Sequence, residues 1–313
     1  MNANELTNIA TSLVLWRNAM SLPSPVDLFT HATADVQRRL GGLLRTKVAG
    51  SDASERAAQI WGTPGPRWFT ATDPIWRVHS DASMFIGGIT ALLLQSLHPL
   101  AMAGVAGHSG YKSDPWGRLQ RTSHYLATTT FGTIADAEHA IGSVRAIHER
   151  VRGKDVHGRP YRASDPRLLS WVHLAEADSF LRAYQEFGAE PLTEIEADTY
   201  VMQTARTARL LGVLAPPLTV RALGEQLDAF RPELEASPEA LEADRFLLLD
   251  PPLPLLARPG YATLASGAVS LLPGWARGML RLPLPDGVAA VVGMPLGRLA
   301  AGVVRWGMAG VDG

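Results

Sequence analysis

The sequence predicts an all-α fold. Three observations predict it: apolar residues recur at helical spacing through most of the chain, an Asp-Pro pair stands at the start of three such segments, and no stretch alternates apolar and polar residues with a period of two for long enough to build a sheet. The chain has 313 residues, of which 46% are hydrophobic. That is enough apolar material for one large core, and residues 1–313 are read as a single helical domain.

The elements follow from local chemistry. Leu6, Ile9, Leu13, Leu15 and Trp16 suggest a first helix, and Leu28, Val36 and Leu40 a second over Pro25 to Leu44. Gly62 to Ala71 is rich in Gly and Pro and reads as a loop. Asp73-Pro74 starts a helix, an N-cap acceptor followed by a residue that has no N–H to satisfy, and this helix is expected to run to Pro99. Its apolar run, Ser83 to Leu97, is about 15 residues, short of the roughly 20 needed to cross a bilayer, and reads as a buried core helix.

Ala103 to Trp116 holds three glycines and reads as a loop. Asp114-Pro115 opens a helix to about Thr130, and Thr133 one ending near Gly153. Lys154 to Ala163 is polar, a short hairpin or an irregular loop. Ser164-Asp165-Pro166 begins a long helix to Phe187, and Thr193 with Glu196 has capping-box spacing ahead of a helix to Leu211. Further helices fit Thr219 to Phe230, Pro238 to Leu248, Tyr261 to Leu272 and Val288 to Trp306. After the proline-rich stretch Pro251 to Pro259, residues from about 260 to 313 form a sparsely charged C-terminal layer, expected to cover the core rather than to lie on a membrane.

Composition narrows the chemistry. With 29 Lys+Arg against 30 Asp+Glu, nothing in the charge calls for nucleic acid or an anionic membrane as partner. The chain has no cysteine, which excludes disulfides, cysteine-held iron–sulfur and zinc sites, cysteine nucleophiles and a thiolate-ligated haem. No secretory signal is legible near Met1, and the cytoplasm is the expected location. The repeated Glu-x-x-His of a di-iron bundle, His-Glu-x-x-His, a Walker loop and a helix-opening Gly-x-Gly-x-x-Gly are all missing. Gly107-His108-Ser109-Gly110 lacks the spacing and the preceding strand of a nucleophile elbow.

Two sets of residues stand out. His148 shares a helical face with Ile141, Val144 and Val151, and His173 with Leu169, Ala177 and Phe180. Each is either a buried, hydrogen-bonded imidazole or an axial haem ligand, since a histidine on an apolar helix face is how helical haem pockets are built. His98, at a helix end before proline, suits a cap or pocket edge, and His139 is expected in solvent. Arg118, Arg121, Thr122 and Tyr125 fall at i, i+3, i+4 and i+7; they form a solvated face or one that binds haem propionates and oxygen.

An ordered series carries a resemblance: HPLAMAGVAGHSGY, DPWGRLQRT, TTTFGT, VRAIHERVRG and GRPYRASDPRLLSWVH. In order and spacing these segments resemble the rubber oxygenase (latex clearing protein) and MpaB-type oxygenase catalytic domain family, over about residues 73 to 275. The resemblance implies a globin-like helical core around haem b (iron protoporphyrin IX), and an oxygenase that uses dioxygen on an apolar, isoprenoid or lipid substrate. It implies His148 as axial iron ligand, which leaves His173 the alternative by periodicity, and places Arg118, Arg121 and Thr122 at the family's Arg-x-x-Lys-Thr element. Arginine stands at 121 where the family has lysine, and is suited to hydrogen-bond oxygen or a propionate rather than to ligate iron. No acidic residue lies between Leu97 and Lys112, where the rubber oxygenase has its carboxylate, so cleavage of polyisoprene is not expected. A wall from Phe85 to Val105 suits an apolar substrate. The alternatives are a haem protein for binding or sensing, and a cofactor-free helical hydrolase or binding module.

Overall fold

A computed structural model describes residues 52–282 and 284–310, together with residues 37, 41, 42, 46, 47 and 50. The first expected helix and nearly all of the second lie outside them, as does His31.

Among the described residues the regular structure is helical, apart from one two-stranded antiparallel hairpin of β1 (Arg152–Lys154) and β2 (Pro160–Arg162). The helices are α1 (Ala53–Gly62), α2 (Pro74–Ser80), α3 (Met84–Ser96), α4 (Pro99–His108), α5 (Pro115–Phe131), α6 (Ile134–His148), α7 (Pro166–Phe187), α8 (Glu194–Leu211), α9 (Val220–Phe230), α10 (Pro238–Leu249), α11 (Arg258–Leu271), α12 (Gly274–Met279) and α13 (Asp286–Ala309). The all-α expectation holds.

The axis of the fold is α7. Asp165 accepts from the Arg167 N–H with Pro166 at the first helical position, and Gly188 closes the helix by donating to Tyr184 O. Its residues Trp171, Leu174, Phe180, Leu181 and Tyr184 are buried. Beside it runs α3, as the apolar run predicts, with Ile86, Leu93 and Leu94 buried. Gly87 permits the approach: a Cβ there would lie 2.9 Å from Phe180 Cδ1 and 3.1 Å from Ala183 Cβ. The Trp171 indole donates to Gln95 O at 3.1 Å.

Behind this pair lie α11 and α13. The Thr90 hydroxyl reaches Ala268 O at 3.2 Å, and Arg305 forks onto Asp81 with contacts of 3.0–3.2 Å. The last helix has 24 residues and is long and apolar enough to cross a membrane; a third of its most apolar window is buried. Gly297, Ala300, Ala301 and Val304 face inward, while Val291, Leu299 and Val303 are exposed. Its inner side packs on the core.

Four local expectations need correction. The helix expected from Pro74 to Pro99 is broken, because Asp81 accepts from the Ser83 N–H at 2.7 Å and ends one helix while starting the next. Ala103 to Trp116 is mostly not loop: α4 continues to His108. Its glycines are compatible with helix because Gly104 packs against the Tyr161 ring of the hairpin. The helix from Thr133 stops at His148, where the chain turns into the hairpin that was one of two readings for 154–163. Helices α1 and α12 were not expected at all.

Candidate functional site

Helices α2, α4, α5, α6, α7 and α8 enclose one cavity of about 380 Å³, with Tyr161 of β2 on its wall. Most of the wall is apolar, from Leu100, Ala101, Val105, Leu126, Leu168 and Val172. Of the wall expected from Phe85 to Val105, only Gln95 and the last third contribute; the first part of α3 packs into the core instead.

The structure brings His148 and His173 together on this wall. His148 is the last residue of α6, and Val151 lines the cavity beside it. His173 sits mid-helix on α7, and Leu169, Ala177 and Phe180 line the cavity with it, as the periodicity predicts. His148 Nδ1 and His173 Nε2 are both buried with no hydrogen-bond partner among the described residues. Burial pushes His173 down to about 4 and also lowers His148, against the opposing charge of Glu149. Both rings are therefore neutral at neutral pH, the form in which imidazole donates a lone pair to a metal.

The arginine face divides. Arg118 and Tyr125 line the cavity; Arg121 and Thr122 do not. Arg121 is 65% exposed and pairs with Asp114 at 3.1 Å, and the Thr122 hydroxyl returns to Arg118 O at 3.1 Å. The cause is geometric: 118 and 125 are nearly two full turns apart and superpose, whereas 121 and 122 lie to either side of that line. Asp114, the N-cap of α5, then holds Arg121 outward. His98 is buried at the N-cap of α4 but faces Trp171, Phe230 and Glu233 rather than the cavity, and His139 is exposed as expected.

Two cavity groups were not singled out from the sequence. His79 of α2 contacts Thr130 Oγ1 at 2.8 Å through Nδ1 and Tyr200 Oη at 3.5 Å through Nε2, and burial lowers it to about 4. Glu176 lies one turn from His173 on the same wall, and burial raises its carboxyl to about 7. Its i+3 spacing from His173 was legible, but an acidic residue in an amphipathic helix gives no sign of facing inward. So an acid does line the cavity, from α7 rather than from the stretch between Leu97 and Lys112.

Among the described residues, no group of three or more His, Asp or Glu is placed to hold a metal ion by itself. Residues 76–306 match the family model described as the ER-bound oxygenase mpaB/B'/rubber oxygenase catalytic domain. The chain belongs to this family. The match extends past residue 275, so the C-terminal layer through most of α13 is part of the family's catalytic domain. Membership implies an oxygenase, acting on a small molecule with dioxygen. No curated protein and no solved structure matches the chain.

Proposed function

We propose that this protein is a haem b-dependent oxygenase of apolar, isoprenoid-like or lipid substrates. The observation that carries the reading is the pair of neutral imidazoles, His148 and His173, each with a buried, unpartnered nitrogen, on the wall of one largely apolar cavity in a chain of an oxygenase family. A porphyrin supplies four of its iron's ligands, so one or two imidazoles complete the set, which suits a wall that lacks a three-residue metal cluster. His148 is the axial donor by resemblance, and His173 is the second candidate. Arg118 supplies the cation for a propionate or for oxygen. When bound, haem supplies the dioxygen chemistry; the chain binds it, orients the substrate and excludes water through the apolar wall.

The test is the absorption spectrum of protein purified from cells supplied with a haem precursor, with a pyridine haemochrome assay. About one haem b per chain is expected. A folded, colourless protein that takes up no added haem overturns the proposal.

The arginines separate in the same assay. Arg118→Ala is expected to weaken haem retention by about tenfold, the loss of a part-buried charged hydrogen bond. Arg121→Ala should leave it unchanged, because its exposed pair with Asp114 contributes about 0–1 kcal/mol. Transfer of haem to apomyoglobin measures both, and equal losses would show that the cavity wall does not hold the propionates.

A further inference from the structure

The cavity holds polar groups that neither imidazole ligand accounts for. Tyr125 Oη is buried with no hydrogen-bond partner, and the Glu176 carboxyl lines the same cavity with no hydrogen bond or ion pair among the described residues. They stand close enough that the charge of Glu176 raises the phenols of Tyr125 and Tyr200. A buried polar group without a partner costs about 1–3 kcal/mol, so the Tyr125 hydroxyl, with an unpaired carboxyl on the same wall, points to a ligand with a polar atom for both.

Donor counting selects the ligand. Tyr125 is a neutral phenol, its pKa raised by burial first and by Glu176 second. Around it the imidazoles are neutral: burial lowers His79 and His173 to about 4 and lowers His148. Arg118 couples to Tyr111 and Arg121, not to Glu176, and the His108 ring lies against Tyr161. Glu176 therefore has no counter-ion, and burial favours its protonated form. A phenol and a carboxylic acid are then two neutral donors without an acceptor.

We infer that Tyr125 and Glu176 form a donor pair for one carbonyl oxygen of an otherwise apolar ligand, so that the substrate class is a long-chain or alicyclic ketone or aldehyde rather than a plain hydrocarbon. The apolar wall takes the carbon skeleton and the donor pair fixes its position. The inference rests on the proposed function only in taking this cavity as the substrate's.

The test is binding of methyl nonyl ketone to the protein as purified, beside undecane and undecylamine, with the carbonyl stretch of bound ketone read by difference infrared spectroscopy. The ketone should bind about tenfold more tightly than undecane, the worth of one buried hydrogen bond. Its stretch should fall below the value in hexane and move back towards it in Tyr125→Phe. Affinity should weaken as pH rises through about 7, because a carboxylate cannot donate. Glu176→Gln keeps a donor at every pH and should flatten that profile; both variants are near-isosteric, and circular dichroism checks their fold. Equal affinity for ketone and undecane, tighter binding of undecylamine, an unmoved stretch in Tyr125→Phe, or an unchanged pH profile in Glu176→Gln would each overturn the donor pair. The two proposals fail separately. A colourless protein with the carbonyl shift intact removes haem and keeps the pair, while a haem-loaded protein that treats ketone and alkane alike removes only the pair.

Discussion

Replacing His148 with alanine is expected to lower bound haem per chain by about tenfold or more while leaving the helical circular dichroism in place. The reason lies in where the residue sits. His148 ends α6, so its side chain contributes to the cavity wall rather than to the packing between α3 and α7. Its Nδ1 has no protein partner to lose, and alanine is tolerated at a helix C-terminus. His173→Ala is the companion variant. It too removes an imidazole with an unpartnered nitrogen, but from the middle of α7. The Soret absorbance per protein in the two variants decides the ligand. If His148→Ala keeps its haem and His173→Ala loses it, the axial assignment passes to His173. If both keep it, neither holds the iron.

Trp171→Ala is expected to have the largest effect on stability, a loss of about 3–5 kcal/mol. Trp171 has no exposed surface, and its ring packs on Phe230 at 5.3 Å between centroids. Its indole N–H donates to Gln95 O, which also accepts from the His98 N–H, so alanine removes one of the bonds to that carbonyl, about 1 kcal/mol of the loss. Against a total of about 5–15 kcal/mol for a folded protein, this is enough to unfold a large fraction at moderate urea. Trp61 is the control. It also stacks on aromatic rings, Trp76 and Phe131, but is 55% exposed, and Trp61→Ala should cost about 1 kcal/mol. Urea unfolding of the two variants measures the difference. Equal losses would show that the α3–α7 pair is not the centre of the core.

Much of the fold was legible because its signals are local. Thr193 and Glu196 do make both halves of a capping box, and the Asp-Pro starts at 74, 115 and 166 all open helices. Where local signals competed, propensity misled. Glycines at 104 and 107 suggested loop, yet contact with Tyr161 makes small residues useful within α4. Asp81 looked like one more polar residue in a long helix until Arg305, 224 residues away, fixed it at the break.

The site divides in the same way. From the sequence alone came the helical class, the exclusion of all cysteine chemistry, the family, and two histidines on apolar faces. Each depends only on composition, on order along the chain or on spacing within one helix. Tertiary structure alone decided that Arg118 faces inward and Arg121 outward, and that Glu176, Tyr125 and His79 share one cavity. Periodicity places a residue on a helix face, but not against what that face packs. Tyr125 and Glu176 are on different helices, and only the packing of α5 and α7 around one cavity puts an acid and a phenol on the same wall.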